Sequence, residues 1–176
     1  MKNISIIFLL FVSLSSSLSA KILLSPIDAM KENYSQDADI SKENLVLSAT
    51  EFKKIQKEAK TKLPTRRYTL YRAKEDKKIL GYGILINKKV RSKNAVVLYL
   101  IANNTLKGIE IIAFNEPHEY LPNKTWQSQF KNIKTDKMLH LSRDIPTITG
   151  ATLSARSVTE GSRIAFAIYN ELVQGK

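Results

Sequence analysis

Two periods of hydrophobic and polar residues divide the chain into helical and extended stretches. Near the C-terminus, apolar or small residues recur every three or four positions, which predicts an amphipathic helix over residues 154–173. They are Val158, Gly161, Ala165, Ile168 and Leu172. The same spacing behind the capping box Ser48-Ala49-Thr50-Glu51 predicts a helix over 51–63. An aromatic-lined stretch over 123–133 predicts a third helix, and Pro26 starts a short helical segment.

From residue 67 the hydrophobic period shortens to that of strands. Extended stretches cover 68–73, 79–86, 95–102 and 108–114, separated by short polar turns. Connections this short favour an antiparallel meander. We therefore expect an α+β fold, in which a small antiparallel sheet of four or five strands is packed by three helices. Residues 21–66 are predicted to be an N-terminal helical segment that packs on a domain formed by 67–176.

Within these strands, residues 95–102 are apolar on both faces, which predicts a central strand that is covered on both sides. Gly81 and Gly83 interrupt the preceding strand and predict a bulge or a close backbone approach.

The turn before the C-terminal helix carries the clearest candidate chemistry. It reads Thr147-Ile148-Thr149-Gly150-Ala151-Thr152-Leu153-Ser154. Gly150 permits a tight or left-handed turn, and hydroxyl groups crowd the start of the helix. Free N–H groups and the positive end of the helix dipole favour an anion such as a phosphate there. Ordinary helix capping uses the same residue types, so the turn alone leaves both interpretations open.

The first 20 residues predict a secretory signal peptide. Met1-Lys2-Asn3 precedes a short apolar run, and a serine-rich stretch ends at Ala20. Because the run is short for a transmembrane span, cleavage after Ser19 or Ala20 is expected, with an uncleaved membrane tether as the alternative. The protein is thus expected in the periplasm or on the outer face of the cytoplasmic membrane.

The amino-acid composition excludes several kinds of cofactor and catalytic group. The chain has 176 residues and no Cys, which excludes disulfides, a thiolate nucleophile, iron–sulfur clusters and Cys-linked haem. Its two His residues form no metal-site signature, and P-loop, nucleophile-elbow and dinucleotide-binding motifs are missing. No catalytic acid or base stands out.

A large positive charge limits the choice of partners. The formal net charge is +12, and removal of Lys2 with the signal leaves +11. Such an excess favours an anionic membrane, an acidic protein or nucleic acid, and export makes nucleic acid the weakest of these. The helix over 51–63 carries several lysines, which form either a solvated surface or a docking face for an acidic partner: Lys53, Lys54, Lys57, Lys60 and Lys62.

Thr149-Gly150-Ala151-Thr152 resembles the signature of the FMN-binding domain family, which is shared by membrane-linked redox complexes and many exported flavoproteins. The family has Ser/Thr-Gly-Ala-Thr/Ser at a helix start, and the order of elements over about residues 78–169 is similar. The resemblance implies FMN as the cofactor, bound by six consecutive residues: Thr149, Gly150, Ala151, Thr152, Leu153 and Ser154. In many members a dedicated flavin transferase links the FMN phosphate to the last hydroxyl residue of the motif, here Thr152.

Two further positions bear on this resemblance. Members with covalent FMN usually carry an Asp six positions before the acceptor, where this chain has Pro146, and the nearest Asp is Asp144. The family also covers its flavin with a loop that often contains Glu-Thr-Pro-Gly, and Glu116-Pro117 stands near that position. The resemblance therefore implies that Glu116, His118 and Tyr120 adjoin the flavin, although His118 and Tyr120 are equally compatible with an ordinary loop.

Together these patterns predict an exported flavoprotein that carries FMN, covalently at Thr152, and acts as an electron carrier rather than as a substrate-transforming enzyme. Its expected partners are a flavin transferase and an acidic or membrane-bound redox protein. The alternative is a non-redox basic binding module for an anionic membrane or an acidic partner, in which the turn merely caps a helix.

Overall fold

An antiparallel sheet forms the centre of the fold. The computed structural model describes residues 22–175, so the predicted signal peptide over 1–20 lies outside the described residues. The elements in chain order are α1 Pro26–Asn33, β1 Asp39–Val46, α2 Ala49–Ala59, β2 Arg67–Glu75, β3 Lys78–Lys89, β4 Asn94–Ala102, β5 Thr105–Phe114, α3 Lys124–Gln127, β6 Ile133–Lys134 and α4 Thr152–Leu172. Short 3-10 turns cover His118–Tyr120 and Ser128–Phe130.

The strands follow one another in the sheet in the order β1-β2-β3-β4-β5-β6, and each pairs antiparallel with the next. The α+β class and the antiparallel meander are confirmed. The described residues form six strands, slightly more than the four or five expected, and the fourth helix is the short one predicted to start at Pro26. β1 was not predicted because it is a polar edge strand. Ile40 and Leu45 are half-buried, and its other residues are exposed.

Helices cover both faces of the sheet, and β4 lies between them. On one face, Tyr99 and Ile101 belong to the main core with residues of α2 and α4. On the other, Leu98 and Leu100 belong to a smaller core with Met30 of α1. The prediction of a strand covered on both sides is therefore confirmed.

Close approach of α1 explains the glycines of β3. A side chain at Gly81 would overlap the Tyr34 ring, and one at Gly83 would lie 2.6 Å from the Met30 sulfur. The Tyr34 hydroxyl donates to the carbonyls of Tyr82 at 2.9 Å and Ile101 at 3.0 Å. A register irregularity also falls here, between Ala73 and Lys74 of the neighbouring strand. These glycines admit α1 rather than a ligand.

The first half of α4 is fixed over β3 and β4 by polar contacts. The Tyr99 hydroxyl donates to the Val158 carbonyl at 2.7 Å, and the Ser157 hydroxyl donates to the Lys89 carbonyl at 3.2 Å. Lys88 and Glu160 form an ion pair at 3.0 Å. Because these contacts join the end of β3 and the middle of β4 to the second and third turns of α4, they hold the N-terminal half of α4 against the sheet.

Within the described part of the chain, no helix is both long enough and apolar enough to cross a membrane.

Gly161→Ala should destabilise the protein, although Ala is the better helix former. The new methyl group would overlap the hydroxyl of Tyr99, which is fully buried and hydrogen-bonded and so cannot swing aside. We expect the free energy of unfolding to fall by about 1–3 kcal/mol, as for other overpacked cores, in chemical denaturation. Gly108→Ala is the control, because a methyl group there meets nothing within 4 Å. Equal stability of the two variants would contradict this packing.

Candidate functional site

A cleft of about 240 Å³ opens at the N-terminal end of α4. Three segments that are distant in sequence line it: the β3–β4 turn, the loop after β5, and the turn that begins α4. The lining residues are Val90, Arg91, Glu116, Tyr120, Gly150, Ala151, Thr152, Leu153 and Ser154. The contacts between α4 and the end of β3 bring these segments together.

The first turn of α4 presents backbone N–H groups to this cleft. Gly150 has a φ of +78°, a conformation that favours glycine. The N-cap residue is Ala151, and no side chain of the described residues caps the helix. An α-helix leaves its first N–H groups without intrahelical partners, and they carry the positive end of the helix dipole. Most helices cap these groups with a side-chain oxygen, whereas this helix leaves them available to an anion.

Three hydroxyl groups surround this helix start in different environments. Ser154 is 1% exposed, and its buried Oγ has no hydrogen-bond partner among the described residues. Thr152 is exposed, and its Oγ1 makes only a long contact of 3.4 Å to the Ile148 carbonyl. Thr149 is exposed but does not line the cleft. An unpaired buried hydroxyl costs free energy, so a ligand that pairs with Ser154 would be stabilised there.

Glu116 lines the cleft, but its carboxylate is already engaged. It accepts hydrogen bonds from the backbone N–H groups of Arg91 at 3.0 Å, Ser92 at 2.7 Å and Lys93 at 2.7 Å, and from the Ser92 hydroxyl at 3.2 Å. These hydrogen bonds, led by the one from Lys93, hold the pKa of Glu116 below its usual value. Glu116 therefore organises the β3–β4 turn.

The remaining predicted residues divide into two groups. Tyr120 is half-buried and lines the cleft, whereas His118 is exposed and lies outside its lining. Val90 and Arg91 line the cleft without having been predicted, because they lie in a polar stretch that sequence patterns identify only as a turn. The hairpin register of β3 and β4 and the carboxylate of Glu116 place them there.

Asp144 does not take the place of the family's Asp before the attachment residue. Its carboxylate accepts a hydrogen bond from the His140 N–H at 2.9 Å and pairs with Lys137 at 3.3 Å and Arg143 at 3.2 Å. The His140 N–H contributes most to a pKa below the usual value for this carboxyl. Pro146 accepts a hydrogen bond at its carbonyl from the Trp126 indole at 2.8 Å. Neither residue lines the cleft.

The cleft fits the phosphate end of a nucleotide. Its volume is below the range of about 300–1,000 Å³ that is typical of sites enclosing a whole ligand, so it suits part of FMN. The uncapped N–H groups and the unpaired Ser154 hydroxyl supply donors, and Leu153, 43% exposed at the cleft, supplies an apolar surface. Residues 22–175 contain no cluster of His, Cys, Asp or Glu suited to a metal ion.

Comparison with known proteins agrees with this geometry. Residues 91–167 match the model of a family described as the FMN-binding domain. The match begins in the β3–β4 turn and ends in α4, so it includes all of the cleft except Val90. It confirms the resemblance drawn from the sequence and FMN as the cofactor. No curated protein matches the chain.

Glu116→Gln should destabilise the protein in a pH-dependent manner. At neutral pH the loss of a charged acceptor should lower the free energy of unfolding by about 1–3 kcal/mol. Because the pKa of Glu116 in the folded protein lies below the value of about 4.3 expected in the unfolded chain, this stabilisation is complete above that pH. It disappears as the pH falls through the lowered pKa.

Urea unfolding at a series of pH values would measure this difference. The exposed Glu119, one turn away, provides the matched control as Glu119→Gln. Two results would contradict the role given to this carboxylate. One is a Glu116→Gln protein as stable as the wild type at neutral pH, and the other is a stability difference between the two proteins that is the same in strong acid as at neutral pH.

Proposed function

We propose that this chain, whose residues 91–167 belong to the FMN-binding domain family, is an exported flavoprotein that carries FMN at the N-terminus of α4. In this proposal it serves as an electron carrier in a periplasmic or membrane-linked redox chain. The single observation that carries the proposal is the start of α4, where the family match coincides with an uncapped helix and an unpaired, buried Ser154 hydroxyl.

In the proposed site, the protein binds FMN through its phosphate. Backbone N–H groups of Thr152, Leu153 and Ser154 would donate to phosphate oxygens, and the helix dipole adds favourable electrostatics. Gly150 leaves open space before the helix, since a side chain there would meet nothing within 4 Å. When FMN is bound, its isoalloxazine ring supplies the redox chemistry, and the protein orients the ring and sets its surroundings.

We further propose that a flavin transferase attaches FMN to Oγ1 of Thr152 as a phosphoester, with a flavin dinucleotide as the donor. The Thr152 oxygen bonds to the flavin-side phosphorus, the pyrophosphate bond breaks, the nucleoside monophosphate leaves, and the hydroxyl proton passes to a base of the transferase or to water. Three properties of Thr152 support this assignment. It occupies the acceptor position of the motif, its side chain is exposed, and its hydroxyl has only the weak contact with Ile148 to lose. Ser154 is the less suitable acceptor because its hydroxyl is buried.

The side chains around the cleft support a carrier rather than a substrate-transforming enzyme. A general base needs a free lone pair and a pKa near the working pH. Glu116 is the carboxylate of the cleft, but its pKa is lowered and its oxygens are held by the β3–β4 turn. His118 lies outside the lining. Electron transfer requires no such group.

The charge of the protein supports an acidic or membrane-bound redox partner. Lys53 and Lys57 on α2, and Lys60 directly after it, are exposed. Lys54 pairs with Glu171 near the C-terminal end of α4. Because α4 has 21 residues and spans about 30 Å, this basic surface lies toward the end of the helix remote from the cleft. A partner held there would leave the proposed flavin site accessible.

Mass spectrometry of the protein coexpressed with a flavin transferase should show one FMN residue, attached to the peptide that contains Thr152. Thr152→Ala should abolish the adduct, because the acceptor oxygen is removed. Thr147→Ala, at an exposed threonine just before the motif, is the matched control and should retain it. Unmodified wild-type peptide, or an adduct that persists in Thr152→Ala, would contradict covalent attachment at this residue.

Expression of the full chain in a bacterium with an intact secretion pathway should yield mature protein in the periplasmic fraction. N-terminal analysis should locate the first residue after Ser19 or Ala20, where the signal pattern ends. Full-length protein retained in the cytoplasm would contradict export, while retention in the membrane with Met1 present would indicate the tethered alternative.

A further inference from the structure

Building on the proposed function, we infer that Arg91 is a specificity-determining residue for the flavin. It supplies a second phosphate contact across the cleft from the start of α4, so that the protein selects FMN over riboflavin. Glu116 is the corresponding positioning residue, since its carboxylate holds the turn that carries Arg91.

Hydrogen bonds make the β3–β4 turn rigid. The Val90 N–H donates to the Lys93 carbonyl at 2.9 Å and closes the turn. Three successive N–H groups, from Arg91 to Lys93, then converge on one oxygen of Glu116. Successive backbone N–H groups of this kind form a concave anion site, and here the protein's own carboxylate fills it. The backbone of Arg91 is therefore fixed at the edge of the cleft.

Glu116 and Arg91 bring opposite charges to the cleft. The Glu116 carboxylate stays charged, and the N–H groups of the turn occupy one of its oxygens. Arg91 lines the same cleft, is exposed, and forms no ion pair among the described residues. By contrast, Lys88 near the end of β3 is paired with Glu160 of α4 at 3.0 Å. The cleft thus retains one permanent positive charge that the fold does not use.

The Arg91 guanidinium is suited to binding a phosphate group. A guanidinium group matches a phosphate in shape and donates two parallel hydrogen bonds to it. The start of α4 lines the same cleft, and its uncapped N–H groups also favour an anion. A guanidinium group and a helix N-terminus in one small cleft predict a bound group with more than one anionic oxygen. A phosphate monoester meets this requirement, and the neutral ribityl chain of riboflavin does not.

Fluorescence titration tests this inference. Full-length protein made without a transferase would be titrated with FMN and, separately, with riboflavin. Arg91→Gln should raise the Kd for FMN about 10- to 100-fold, as expected for a lost hydrogen bond to a charged group, and leave the Kd for riboflavin unchanged. Arg91→Lys should be intermediate, because the charge remains but the paired donors do not. Arg67→Gln, at an exposed position away from the cleft, controls for net charge.

Glu116→Gln separates positioning from direct binding. It should reduce the preference for FMN over riboflavin while Arg91 is still present, and it should lower thermal stability, which Arg91→Gln should not. Wild-type protein that binds neither flavin would overturn the proposed function itself. If the wild-type protein prefers FMN and Arg91→Gln keeps the same preference, only the role of Arg91 is overturned. The same holds if Arg91→Gln loses affinity for FMN and for riboflavin equally.

Discussion

The start of α4 leaves its backbone N–H groups without a side-chain cap, and the proposed function depends on this one feature. Uncapped N–H groups favour an anionic partner because they combine donors with the positive end of the helix dipole. Here that end is also fixed in space. Tyr99 beneath Gly161, and Ser157 bonded to Lys89, hold the helix against the sheet, so the donors face a cleft at a constant place.

The cleft contains two anion-binding arrangements, and the fold fills only one of them. The N–H groups of the β3–β4 turn are saturated by Glu116, whereas those of α4 have no side-chain partner. These hydrogen bonds stabilise the Glu116 carboxylate in its charged form and hold it against its own turn. An anionic ligand is therefore expected to bind at the start of α4. Glu116, which lies in the loop expected to cover the flavin, has the structural role of holding the β3–β4 turn.

Sequence patterns predicted the parts of the fold that depend on local chemistry. The hydrophobic period of α4, the Ser48 capping box and the doubly buried β4 are present as expected. The polar strand β1 was missed because its pairing with β2, not its own residues, makes it a strand. At the site, the turn over 150–154 was identifiable from its residue types. The contribution of Arg91 was not, since it depends on long-range pairing between Glu116 and a remote turn.

A crystal structure of the full chain with FMN bound would test the central claim most directly. The account predicts the phosphate, free or esterified to Thr152, within hydrogen-bonding distance of the backbone N–H groups of Leu153 and Ser154. A phosphate bound elsewhere would contradict it, for example in the groove of about 470 Å³ that Val46, Ile79 and Tyr82 line.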